Sequence, residues 1–185
     1  MDTYSEEILI KRYDILKLYI TETIKIKNDH KIKIRLPHID EDISENIIKF
    51  IIRNKLNDFS CKWGNKIGDL YSEKEGKQEC KCFTSNGPLS FTPKTVWDVI
   101  YFLDAREWLN DNFKLYKINL SNKSEEWMNI KINQKQNFND QCLQGRRPRL
   151  SWNEIEKQLK SHISLVYEVT FNEIFIRDMS LIIVD

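Results

Sequence analysis

The run Val96-Trp97-Asp98-Val99-Ile100-Tyr101-Phe102-Leu103 constrains the fold more than any other stretch of the chain. It is rich in β-branched and aromatic residues, almost free of polar ones, and far shorter than the roughly 20 residues a helix needs to cross a bilayer. Such a run reads as a central strand, ending at Asp104 and covered by helices. Two upstream segments supply helices. From Ser5 to about Lys27, Leu9, Tyr13, Leu16, Ile20 and Ile24 recur at three and four residues with charges between them, and this helix is expected to pack across one side of the sheet. From about Asp42 to Leu56 the buried stripe is Ile43, Ile47, Ile48, Ile51, Ile52 and Leu56, behind an acidic start that suits the positive end of a helix dipole.

Between the helices, Lys31 to Leu36 alternates as an extended segment that Pro37 stops. Downstream, Phe113 to Leu120 alternates as a strand, and Trp127 to Ile132 reads equally as a short strand or a turn of helix. Asn137 to Gln144 is a polar helix. Ser151 is an N-cap, with Glu154 completing a capping box, for a helix through Lys160. Ile163 to Phe171 alternates again, and Ile174 to Val184 holds a last apolar run. There is no repeat, low-complexity tract or linker, and 185 residues suit one domain with a proper core. The expected class is α/β: a single domain, residues 1–185, with a central mixed β-sheet flanked by helices.

The chemistry concentrates between Ile67 and Phe83. Ile67-Gly68-Asp69-Leu70-Tyr71 and Lys77-Gln78-Glu79-Cys80-Lys81-Cys82-Phe83 read as two strands joined by a turn at Ser72 to Gly76. Side chains alternate across a strand, so Glu79 and Lys81 share one face, roughly 6.5 to 7 Å apart, while Cys80 and Cys82 pack into a core on the other. The hairpin returns Asp69 beside them. Two carboxylates, with the Cys80 carbonyl as a third ligand, suit a hard divalent cation such as magnesium. A lysine on the same face can hold or polarise a water and offset charge building on a phosphate, which fits metal-assisted hydrolysis of a phosphodiester. A salt-bridged surface hairpin would show the same pattern.

Other features bear on what such a site would act on. A formal net charge of +1 means that any polyanion site comes from local clustering. Arg146, Arg147 and Arg149 form the sharpest basic cluster; an arginine fork binds guanine O6 and N7 or a phosphate, and a solvated basic turn is the plain alternative. Thr84 to Lys94 is a loop of turn formers and hydroxyls in which Ser90 and Lys94 are weaker phosphate candidates. Glu45 sits at the edge of its helix's apolar stripe, placed either to face water or to reach the sheet. Cys61, Cys80, Cys82 and Cys142 form no CxxC pair and read as reduced, mostly buried thiols; His30, His38 and His162 are scattered and read as ordinary histidines. With no membrane-spanning run and no secretory pattern over Met1 to Lys11, a cytoplasmic protein is expected.

Gly68-Asp69 followed, after nine residues, by Glu79-Cys80-Lys81 resembles the PD-(D/E)XK nuclease superfamily, with glycine where the family's name has proline. Ser44-Glu45 on a helix after Leu36-Pro37, the loop Ser90-Phe91-Thr92-Pro93, and Trp97-Asp98 leading to Tyr101-Phe102-Leu103-Asp104 look like small type II restriction endonucleases; the resemblance spans roughly Leu36 to Arg149. It implies a restriction-endonuclease-like fold, magnesium held by Asp69 and Glu79, Lys81 assisting the attacking water, and Glu45 supporting the metal site. It also implies double-stranded DNA as substrate and a homodimer whose two sites cut opposite strands of a palindrome. A junction-resolving or repair nuclease, or a non-catalytic nucleic-acid-binding module, are the alternative readings.

Overall fold

The computed structural model describes residues 4–64 and 68–176. The strand expected at Val96 is β5 (Val99–Asp104), buried along its whole length. It begins three residues later than its apolar run because Trp97 turns away: its backbone N–H donates to Asn122 Oδ1 and its indole is buried among other aromatics off the sheet. β5 lies inside a mixed sheet ordered β1 (Lys62–Trp63), β2 (Leu70–Ser72), β3 (Gly76–Phe83), β5, β6 (Asn112–Ile118) and β8 (Ile163–Thr170). The β3–β5 pairing is parallel and the other pairings are antiparallel.

Alternation on β5 divides the core in two. Val99, Tyr101 and Leu103 face α1 (Glu6–Asp29) and α2 (Glu41–Lys55), which bury Leu9, Tyr13 and Ile20, and Ile43, Ile47, Ile48, Ile51 and Ile52. Ile100 and Phe102 face the second cluster, built from α3 (Glu125–Met128), α4 (Phe138–Leu143), α5 (Trp152–Leu159) and a two-stranded ribbon of β4 (Leu89–Ser90) with β7 (Arg149–Leu150). Trp152 is its hub, with ring centroids 5.3 Å from Phe83, 5.1 Å from Phe102 and 4.7 Å from Tyr116. Burying side chains of this size contributes about 1.5–3 kcal/mol each.

Local signals set the helix starts. Ser5, Asn137 and Ser151 accept from backbone N–H groups of the first turns of α1, α4 and α5, and the last two complete capping boxes with Asp140 and Glu154. The ambiguous stretch at Trp127 is helical, as α3, and Lys131 then bridges Asn137. Lys31 to Leu36 joins no ladder and has no regular structure. Ile174 is buried in a short 3₁₀ turn, Asn172–Phe175; the rest of its apolar run, from residue 177, lies outside the described residues, as does Ile67 at the head of the hairpin. Among the described residues no helix is long and apolar enough to cross a membrane.

Candidate active site

The site begins where β2 and β3 part. Their ladder runs only from Ser72↔Gly76 to Leu70↔Gln78, so beyond Gln78 the β2-facing edge of β3 is open. The carbonyls of Lys77 and Phe83 go to Asp98 and Ala105 on the β5 side, and in an extended strand the next residue along points its polar groups to the opposite edge. Cys80 therefore turns its N–H and C=O into the opening. Its N–H donates to Asp69 Oδ2 at 2.8 Å, which fixes the first acid beside the strand.

Glycine makes that approach possible. A Cβ on Gly64 would meet the Gly68 carbonyl oxygen at 2.3 Å, and Gly68 itself has φ +142°, a conformation open to glycine and closed to proline. Where the resembling motif has proline, the backbone here therefore takes a path that proline could not, and an acid, Asp69, still follows it.

Glu79 and Lys81 point to the second-cluster face, as alternation requires. Lys81 Nζ donates to Glu79 Oε1 at 2.6 Å and stands 5.8 Å from the centroid of the buried Phe91 ring. Glu79 is only 3% exposed, and its Oε2 is buried with no hydrogen-bond partner. Glu45, Asp69, Glu79, Cys80 and Lys81 all line one cleft of about 620 Å³, so the helical acid reaches the hairpin cluster. Glu41 and Ser44, one turn and one residue before Glu45, line it too.

Burial pushes the carboxyls of Asp69 and Glu79 above the usual carboxylate range; the Cys80 N–H opposes this at Asp69 and the Lys81 charge opposes it at Glu79. Glu45 is pushed up to about 8, first by burial and then by the charges of Asp69 and Glu41. Burial disfavours the Lys81 ammonium, but Glu79 and Asp69 outweigh it and hold its pKa above the ordinary value. Lys81 is therefore a cation at neutral pH.

A carboxyl whose folded pKa is raised contributes its full stability below its unfolded pKa and loses that contribution as pH rises through the folded value. For Glu45 that window runs from 4.5 to about 8. In EDTA, wild type should lose stability relative to Glu45→Gln across this window and level off above it. Allowing for solvent screening, the gap should reach about 1–2 kcal/mol, a few degrees in Tm. Melting curves over pH check this; a pH-independent gap would remove Glu45 from the cluster.

Of the basic and hydroxyl candidates, Ser90 and Arg147 line the cleft, whereas Lys94, Arg146 and Arg149 are exposed and do not. Ser90 pairs with Arg149 in the β4–β7 ribbon, and Phe91 N–H donates to the Pro148 carbonyl, so the hydroxyl loop and the arginine turn form one structure. The cleft also gathers Arg35, His38 and Thr84, and His38 Nδ1 lies 2.8 Å from Thr84 Oγ1. His38 is exposed, in keeping with an ordinary surface histidine, and its place in the lining of the cleft comes from the fold. All four cysteines are free. Among the described residues no group of three or more His, Cys, Asp and Glu is arranged to hold a metal ion, so a cation here would rely on two carboxylates, a backbone carbonyl and water, the mixed set magnesium commonly takes.

Comparison with known proteins gives a family. The model described as Bsp6I restriction endonuclease matches residues 4–159. The type II restriction enzyme Bsp6I of Bacillus sp. (strain RFL6) is 34% identical over 130 residues, which cover 68% of this chain and 67% of that one. No solved structure matches.

Proposed function

We propose, from the premise that this chain belongs to the Bsp6I restriction endonuclease family and is a type II site-specific deoxyribonuclease, that it cuts double-stranded DNA by magnesium-dependent hydrolysis at the Asp69–Glu79–Lys81 cluster. The observation that carries this reading is Glu79: a nearly buried carboxylate with one oxygen on a lysine ammonium and the other unpartnered. A buried acid in that state is costly unless a cation meets it. Asp69, Glu79 and the Cys80 carbonyl would hold magnesium, with Glu45 supporting them from α2. Bound there, the ion supplies a Lewis acid that polarises the scissile phosphate.

The chain's own groups do the rest. Cys80 N–H holds Asp69 in place. Lys81, charged, cannot accept a proton; it donates, orienting the water that attacks phosphorus and offsetting charge on the phosphate oxygens. Phe91 beneath it keeps bulk water off one side. Arg147 and Ser90 at the cleft, with Arg146, Arg149 and Lys94 around the ribbon, are the proposed DNA contacts, by phosphate pairing or by arginine forks on guanine. A palindromic target requires two such sites in opposite orientation, hence a homodimer. A DNA substrate and four free thiols fit a cytoplasmic protein.

Incubation of the purified chain with a plasmid should yield a discrete set of fragments in magnesium and none in EDTA. Fragments that persist in EDTA would overturn the metal-dependent reading, and preference for a branched junction over linear duplex would favour the junction-resolving one.

A further inference from the structure

α1 carries two apolar stripes, and the fold covers one of them. Leu9, Tyr13 and Ile20 are buried against the body. The helix is held there by Tyr13 OH, which donates to the Trp108 carbonyl at 2.7 Å and Asp111 Oδ1 at 2.9 Å, and by Lys17 on Asp111 at 2.6 Å. About a third of a turn away, Ile8, Ile15, Tyr19 and Ile26 are 45%, 67%, 59% and 49% exposed. Spacings of seven, four and seven keep these four on one line along the helix, and Leu18, 63% exposed, borders them. Single exposed apolar residues are common; four in line from Ile8 to Ile26, over about 27 Å of a 24-residue helix, form a surface suited to contact.

The charges beside the stripe say which contact. Glu7, Lys11, Glu22 and Lys25 follow one edge, in two exposed pairs, Lys11–Glu7 and Lys25–Glu22, each at 2.6 Å. If a second copy of α1 is laid antiparallel on this face, Ile8 meets Ile26 of the second copy and Ile15 meets Tyr19. Along the edge Lys11 then meets Glu22 and Glu7 meets Lys25. Every pair is centred on residues 16–17, so one two-fold axis satisfies all of them. A parallel arrangement would instead set Lys11 against Arg12 of the second copy, base against base.

We propose that the exposed stripe of α1 is the two-fold interface of the homodimer, packed antiparallel on α1 of a second copy. This rests on the dimeric nuclease reading above and adds where the dimer is made. The interface is isologous, apolar at its centre and charged at its rim, with acid and base exchanged by the symmetry.

Sedimentation of the full chain without DNA tests it. Wild type should be a dimer, and the double variant I15E/Y19E a monomer, its dissociation constant raised roughly 100-fold or more. As both positions are exposed, its circular dichroism should stay close to wild type, and its Tm should fall only by what the lost association accounts for. Lys11→Glu alone should weaken the dimer several-fold, and K11E/E22K, which restores opposite charges across the axis, should recover it. That swap decides the matter if I15E/Y19E folds poorly. A wild-type dimer that survives I15E/Y19E, or a K11E/E22K variant no better than Lys11→Glu, overturns the α1 interface and leaves the homodimer standing. A monomeric wild type overturns both, while plasmid cutting reports separately on the nuclease.

Discussion

Lys81→Ala should lower the rate of DNA cleavage by about 10³- to 10⁴-fold and leave specific DNA binding within a few-fold of wild type. Glu79 and Asp69 hold the ammonium protonated against the burial that disfavours it, so in the proposed reaction the side chain would serve as a donor to the water and the phosphate. A donor that strengthens as charge develops lowers the barrier to reaction and adds little to ground-state binding. The substitution also leaves Glu79 buried without its partner, which by itself costs stability. Lys81→Gln separates the two effects, because it can still donate to Glu79 while carrying no charge. Single-turnover cleavage of a plasmid, beside a gel-shift titration in calcium, measures both quantities. Cleavage by Lys81→Ala within tenfold of wild type would remove the lysine from the chemistry.

Magnesium should raise the Tm of the wild type; Asp69→Asn and Glu79→Gln should each abolish that rise and detectable cutting, a loss of at least about 10³-fold. Their metal-free stabilities are the more telling measurement. Burial raises both carboxyls, so ionising either acid works against the metal-free folded state. Replacing Asp69, which is not paired with Lys81, by its neutral amide should therefore leave the metal-free protein as stable as wild type or more so at pH 8, while cutting is lost; in Glu79→Gln that gain is offset by the cost of leaving Lys81 without its partner. Glu79→Gln has a second consequence. Without the neighbouring carboxylate, Lys81 loses the larger of the two acids that offset its burial, Asp69 being the other, and its pKa should fall. An Asp69→Asn variant that loses both cutting and metal-free stability would mean that this acid holds the fold together and is not there to meet a cation.

Much of the architecture is legible locally. The periods of α1 and α2, the capping boxes at Asn137 and Ser151, and the alternation of β6 and β8 each depend on residues within a few positions of one another. The stretches read least well are those whose structure depends on remote partners. Val96 and Trp97 look like strand but leave the sheet, because Asn122 takes the backbone N–H of Trp97 and an aromatic cluster takes its ring. The loop after Phe83 looks like an exposed run of hydroxyls. It is in fact the crossover between parallel strands, anchored by Phe91 among Trp97, Trp127 and Phe138.

The candidate site divides the same way. By itself the sequence determines the order Asp69, Glu79, Lys81 and the common face of the last two, because alternation along an extended chain is a property of the chain alone. It also marks Glu45 as an acid at the edge of an apolar stripe. Only the tertiary structure decides that β2 stops short and leaves the edge of Cys80 open, that Glu45 reaches the cleft of Asp69, and that Ser90 and Arg147 line it while Lys94 and Arg146 do not. Those are meetings of segments far apart in sequence, settled by how two helices and a ribbon close over the two faces of one sheet.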